Sequence, residues 1–91
     1  MKYKVNFLKG ENGNTAKQGQ LLKITIPGSK LIDFGIYKGG YPIIIGQESS
    51  DAVSVVLKRK GLDLKGQATL KVVAYNTEWQ KFSWIDEFYI I

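Results

Sequence analysis

Polar and apolar positions alternate along most of this chain. Lys2-Tyr3-Lys4-Val5-Asn6-Phe7 puts each apolar residue on one side of an extended segment, the period-two pattern of a half-buried strand. Leu22-Lys23-Ile24-Thr25-Ile26 repeats it and stops at Pro27-Gly28, a turn dipeptide. Leu31 to Tyr37 reads as another strand, with Gly35 marking a bulge. After the turn Lys38-Gly39-Gly40, Tyr41-Pro42-Ile43-Ile44-Ile45 reads as a short buried strand. Pro42 has no N–H to give a ladder, so it belongs at a strand start or a sheet edge. Val53, Val55 and Leu57 share one strand face, and Ala68, Leu70, Val72 and Ala74 line one side of a strand from Gln67 to Tyr75. The aromatic and β-branched run Phe82 to Ile91 closes the series.

Between these segments lies turn chemistry. Lys9 to Gln20 holds three glycines and no large apolar residue, and a connection of that length flanked by strands is expected to project as a flexible hairpin. Gln47 to Asp51, Lys58 to Gly61 and Asn76-Thr77-Glu78 are further breaks. No window carries a capped 3.6-residue apolar stripe, so little helix is expected beyond one turn near Leu62-Asp63-Leu64. Closely spaced strands indicate a single all-β domain over residues 1–91, a closed or nearly closed barrel or a sandwich.

Composition narrows the chemistry. With 91 residues the chain is near the lower limit for a self-sufficient core, which favours further burial in a dimer. Cys and His are both absent, which removes disulfides, thiolate metal sites and the usual general base at neutral pH. Asp86 and Glu87 are the one adjacent carboxylate pair. On a strand they point to opposite faces and cannot share a substrate. No enzymatic activity, cofactor or metal is therefore expected. No run of about 18 apolar residues is present, so no membrane span is expected, and the lack of an apolar signal core points to the cytoplasm.

The net charge is +5, from twelve Lys and one Arg against eight acids. A basic balance favours a polyanionic partner. Lys acts as a point charge on phosphate, whereas Arg suits bidentate reading of bases. The balance therefore fits backbone contact better than sequence recognition. Aromatic residues are interleaved with the bases: Tyr37-Lys38 and Tyr41 bracket one turn, while Tyr75, Trp79, Lys81, Phe82 and Trp84 crowd another segment. Single-strand binders need flat side chains for bases and cations for phosphates. Phe82, Trp84 and Phe88 are expected in the core or a dimer contact, since a short chain must bury its largest side chains. Trp79, in a polar context, is expected exposed at a hairpin tip.

In order and spacing these features resemble the gene V type single-stranded DNA-binding proteins of filamentous phages. The resemblance rests on Ile32-Asp33-Phe34-Gly35 followed by Tyr41-Pro42-Ile43-Ile44-Ile45, on Lys17-Gln18-Gly19, on Gly66 to Tyr75, and on Trp84-Ile85-Asp86. It implies a dimeric, five-stranded OB-like barrel with projecting hairpins. It also implies cooperative, sequence-nonspecific coating of phage single-stranded DNA during replication, in the host cytoplasm. Lys17 and Gln18 would contact DNA from the first hairpin, Tyr41 would stack beside the groove, and residues 75–82 would form a dimer hairpin whose tip reaches DNA. The chain departs from the family at Leu21-Leu22 and Gln80, where aromatics are expected, and at Glu87, where a base is expected.

The expected DNA-binding set is Lys17, Gln18, Lys23, Tyr37, Lys38, Tyr41, Lys58, Arg59, Trp79 and Lys81, with RNA as a second ligand such a surface would accept. A different class of function is a small β protein-interaction module, such as a phage-encoded inhibitor or adaptor, whose Trp79 hairpin docks a host protein.

Overall fold

A computed structural model describes all residues from Met1 to Ile91. The chain is all-β, with nine strands and no helix, hence no helix long and apolar enough to cross a membrane. The strands are β1 (Lys4–Val5), β2 (Leu8–Gly10), β3 (Gly13–Ala16), β4 (Leu21–Thr25), β5 (Ser29–Lys38), β6 (Tyr41–Glu48), β7 (Ala52–Val56), β8 (Gly66–Asn76) and β9 (Lys81–Ile90). They form a three-stranded sheet in the order β1-β4-β7 and a six-stranded sheet in the order β2-β3-β9-β8-β5-β6. β1 and β2 are nearly continuous, so the chain passes from one sheet to the other within a few residues. The ladder does not close into a barrel: β6 and β7 lie at opposite ends of the strand order and do not pair. One hydrogen bond spans that seam, from Arg59 Nη1 to the Ile43 carbonyl at 3.0 Å, while Ser29 Oγ at the start of β5 donates to the Ser50 carbonyl in the β6–β7 connection at 3.2 Å.

Alternation sets the core. Leu22, Ile24, Ile26, Val53 and Leu57 face inward from β4, β7 and their flanks. They meet Ile32, Phe34, Ile36, Ala68, Leu70, Val72, Ala74, Phe88 and Ile90 from the large sheet. Ile36 and Leu70, register partners on β5 and β8, are both fully buried; each such side chain contributes about 1.5–3 kcal/mol by leaving water. The N-terminal strand adds Tyr3, Val5 and Phe7 to the rim of this core. Tyr3 stacks on Trp84 at 4.8 Å between ring centroids, and Phe7 meets Phe88 at 4.9 Å. Phe88 is thus core, while Trp84 is half-buried against Tyr3 and Phe82 is half-buried beside Trp84.

Turn chemistry acts as anticipated at two places. Gly39 and Gly40 both take positive φ, 56° and 83°, the two-residue reverse turn whose twist matches a hairpin, and Lys38 pairs with Tyr41 across it. Pro42 sits at the start of an edge strand. Elsewhere the structure corrects the expectations. The Leu62–Leu64 stretch forms no helical turn; an isolated Arg59–Leu62 bridge occupies this loop. Gly35 is not a bulge, since the register shift falls between Ile36 and Tyr37. Its bare Cα makes room for the Tyr37 ring: a Cβ there would lie 2.8 Å from Tyr37 Cε1. β6 is not a buried strand throughout, because Ile45 is 70% exposed.

The Lys9–Gln20 segment is also more compact than a projecting hairpin. β2 and β3 pair tightly, with Gly10 opposite Gly13 and Glu11-Asn12 at the tip. β3 then runs parallel to β9, Thr15 beside Tyr89 and Ala16 beside Ile90. That second partner fixes the hairpin base. Lys17 and Gln18 therefore fall beyond the hairpin, in a turn pinned to the body by Gln18 N–H to Ile91 O and Gly19 N–H to Leu57 O, both 2.8 Å.

Candidate nucleic-acid interface

The pinned turn at Lys17–Gln20 lies against the loop that follows β7, because Leu57 N–H donates to the Gln20 carbonyl at 2.9 Å. Gln18, Gly19, Lys58, Arg59, Lys60, Gly61 and Leu62 line an open cleft of about 820 Å³. Gln18 stiffens its wall: its side-chain Oε1 accepts from Leu64 N–H at 2.6 Å. Arg59 reaches to the Ile43 carbonyl, so the start of β6 adjoins the cleft. Lys38, paired with Tyr41 at the end of the β5–β6 hairpin, donates to the Lys65 carbonyl and ties that hairpin to the same loop. Five cations, Lys38, Lys58, Arg59, Lys60 and Lys65, thus gather at one end of the molecule beside Tyr41, which is 76% exposed.

One carboxylate sits among them. Asp63 accepts from Lys65 N–H at 3.0 Å. Its pKa is lowered: that backbone hydrogen bond is the largest cause, desolvation opposes it next, and a bond from Gln18 and the charges of Lys65 and Lys38 lower it further. It organises the loop and stays ionised at neutral pH. The remaining potential at this end is strongly positive and solvent-facing, suited to attracting phosphates without selecting bases.

The ten expected residues do not share one groove. Gln18, Lys38, Tyr41, Lys58 and Arg59 come together at this basic end, with Lys17 exposed just before Gln18. Lys23 is on the outer face of the three-stranded sheet, beside Lys4, Asn6 and Thr25. Trp79 and Lys81 are at the opposite end of the large sheet: β8 runs from Gly66, next to Lys38, to Asn76 at the β8–β9 turn. At about 3.3 Å per residue the separation is roughly 30 Å. Sequence reading leaves Lys60 and Lys65 out of the site set, although the run Lys58-Arg59-Lys60 reads as either a solvated turn or a phosphate patch. Lys60 is signalled by its place beside Lys58-Arg59. Lys65 has no local signal, since only the Lys38 contact brings it in.

The three stacking candidates differ in the faces they leave free. Tyr41 has no aromatic or cation–π partner and is the most exposed of the large hydrophobic side chains. Tyr37 is used internally, lying over Gly35 with the Lys71 ammonium 4.9 Å from its ring centroid. Trp79 sits at the hairpin tip with φ 59°, the one non-glycine residue at positive φ, a conformation costing about 1–2 kcal/mol for an L-residue. It is 58% exposed, with Lys30 Nζ 4.3 Å from its ring centroid and Tyr75 6.1 Å away.

The adjacent acids separate as strand geometry requires. Asp86 points inward and accepts from Tyr3 Oη at 2.5 Å, while Glu87 points outward and accepts from Gln67 at 2.9 Å. Burial, then the hydrogen bond to Asp86, then its charge push the Tyr3 phenol well above its ordinary range. Compared with models of known protein families and with curated proteins, the chain matches none, and its own geometry is what bears on its function.

Proposed function

We propose that this protein binds single-stranded DNA through phosphate contacts at its basic end, without reading sequence. The observation that carries the reading is an open cleft lined by Lys58, Arg59 and Lys60, with Lys38 and Lys65 joined to the same loop and the exposed ring of Tyr41 at the adjoining hairpin. Cations along a backbone track and a free aromatic face are the two elements a sequence-tolerant single-strand site requires. The collinear motifs shared with gene V type proteins favour the same reading. They extend it to an OB-like architecture, a homodimer, and coating of phage DNA in the host cytoplasm.

The test is a titration with an unstructured single-stranded oligonucleotide at several salt concentrations, with duplex DNA and RNA of the same sequence as controls. Affinity should favour the single strand and fall steeply with salt. Lys58→Ala with Lys60→Ala should flatten the slope by about 1.4, at ~0.7 per phosphate contact on a single strand. An unchanged slope in that variant would remove the cleft from the proposal. No binding even at low salt would leave the second reading, a protein-interaction module. That reading is favoured by Trp79, whose large side chain stays 58% exposed in a strained backbone conformation.

A further inference from the structure

The outward faces of the two sheets carry charge differently. On the large sheet the central row runs Ile45, Gly35, Lys71, Ile85 across β6, β5, β8 and β9, and the acids Asp33 and Glu87 are mixed with the bases Lys71 and Lys81. On the small sheet the outward rows are Lys4, Thr25, Ala52, then Asn6, Lys23, Ser54, then Leu21 and Val56. Tyr3 and Val5 pack inward, which turns Lys2 and Lys4 outward. No acid lies in these rows. Asp51 borders the Ala52 row from the β6–β7 connection, and Asp63 sits in the loop at the cleft. The remaining acids, Glu11, Asp33, Glu48, Glu78, Asp86 and Glu87, belong to the large sheet and its turns. Like charges on neighbouring strands destabilise a sheet, so lysines gathered here without a carboxylate between them suit an anionic ligand.

This face runs into the cleft. Leu57 is fully buried between exposed Val56 and exposed Lys58, so Lys58 follows Val56 on the outward side and also lines the cleft. Leu57 N–H donates to the Gln20 carbonyl, which holds the start of β4 beside it. At about 3.3 Å per residue the way from Lys58 to Ala52 is roughly 20 Å, enough for about six stacked nucleotides at ~3.4 Å per phosphate. Between Lys58 and Lys23 lie Leu21 and Val56, register partners that are 53% and 49% exposed. Cations on either side of an apolar shelf suit a strand whose bases are unpaired, since a duplex keeps its bases inside. Past the shelf, Lys4, Asn6, Lys23 and Thr25 line a shallow groove of about 310 Å³. Its floor is fixed in advance: Asn6 Oδ1 accepts from Lys23 N–H at 2.5 Å and Asn6 Nδ2 donates to the Leu21 carbonyl at 3.0 Å.

We infer that the outward face of the three-stranded sheet is a second length of the nucleic-acid path. A single strand held in the cleft continues past Lys58, over Leu21 and Val56, to Lys23, Lys4 and Lys2. This gives Lys23 a place that the cleft alone denies it. The contacts are cations on phosphates, so the added length raises affinity without adding sequence preference. The inference rests on the proposed function, and ligand length separates the two: a short strand fills the cleft alone, whereas a long one covers both.

The test is a titration of the full chain with oligothymidylates of about 4 and about 16 nucleotides, the span of site sizes for a single small barrel, at several salt concentrations. Lys4→Ala with Lys23→Ala should flatten the salt slope of the longer ligand by about 1.4, at ~0.7 per phosphate contact, and leave the shorter ligand's slope and affinity unchanged. Lys58→Ala with Lys60→Ala should weaken both lengths. Lys71→Ala with Lys81→Ala removes the same charge from the large sheet and should alter neither slope. Amide resonances of Lys23, Thr25 and Ser54 should shift with the longer ligand alone, and those of Lys58 to Gly61 with both. Circular dichroism checks that each variant folds. A longer ligand indifferent to Lys4 and Lys23, with the shorter one still bound through Lys58 and Lys60, overturns the inference and leaves the proposed function standing. A longer ligand that needs Lys4 and Lys23 but not Lys58 and Lys60 overturns the continuous path. Failure of both lengths to bind at low salt overturns both readings.

Discussion

The basic end around Lys38 and the outward face around Lys71 are carried by the same strands, β5 and β8, yet they face solvent in opposite ways. At the end, five cations crowd around one carboxylate and an unpartnered tyrosine. On the face, acids and bases are interspersed, the tyrosine is folded down onto a glycine, and two isoleucines, Ile45 and Ile85, stand exposed. The lesson is that a lysine's meaning depends on its neighbours. Lys38 and Lys58 add to a field, whereas Lys71 is engaged by the Tyr37 ring and offset by Asp33 and Glu87.

The sharpest way to break this comparison is by charge. Lys58→Glu with Lys60→Glu at the end should weaken single-strand affinity about 100-fold at low salt, while Lys71→Glu with Lys81→Glu on the face should change it less than about threefold. Equal losses by fluorescence titration would erase the distinction. The aromatic version is next. Tyr41→Ala should cost about 1–3 kcal/mol of binding, the worth of one stacked base, and little stability. Tyr37→Ala should do the reverse, lowering the melting temperature by uncovering Gly35 while sparing affinity.

A smaller effect is expected beneath the face, where Tyr3 holds β9 from the inside. Its phenol pKa is raised in the folded chain. The stability this lends is complete below the ordinary phenol value near pH 10 and is lost as pH rises beyond it. Tyr3→Phe should cost about 1 kcal/mol at neutral pH and show a shallower alkaline fall than the parent in thermal melts. The smallest effect concerns the far tip. Trp79→Gly relieves the positive φ but loses the Lys30 contact, so stability should move by less than about 1 kcal/mol. Single-strand affinity should hold if the basic end is the site.

Much of the strand content was legible because burial on one face writes a period of two into the chain. Pro27-Gly28 and Gly39-Gly40 announced their turns, and Asp86-Glu87 were correctly set on opposite faces. What was hidden depends on register. Nothing local says that Gly35 neighbours Lys71 or that Ile45 lies in the exposed row, since a one-residue slip would have exchanged the faces. The basic end was half visible: Lys58-Arg59 stands out as a charge run, but Lys65 joins it through one contact with Lys38. Lys81 and Trp79 looked like members of the same site because aromatic and basic residues alternate there, and only the length of β8 separates them.

The parallel pairing of β3 with β9 has a consequence in time. Thr15 and Ala16 wait for Tyr89 and Ile90, and Tyr3 waits for Asp86, so the opening residues find their final neighbours only when the closing ones exist. During synthesis the early strands leave the ribosome before that partner has been made. With contacts so distant along the chain, folding should run in milliseconds to seconds rather than microseconds. Until the last strand arrives, β3 is an unfinished sheet edge and the nascent chain is at its most vulnerable to aggregation.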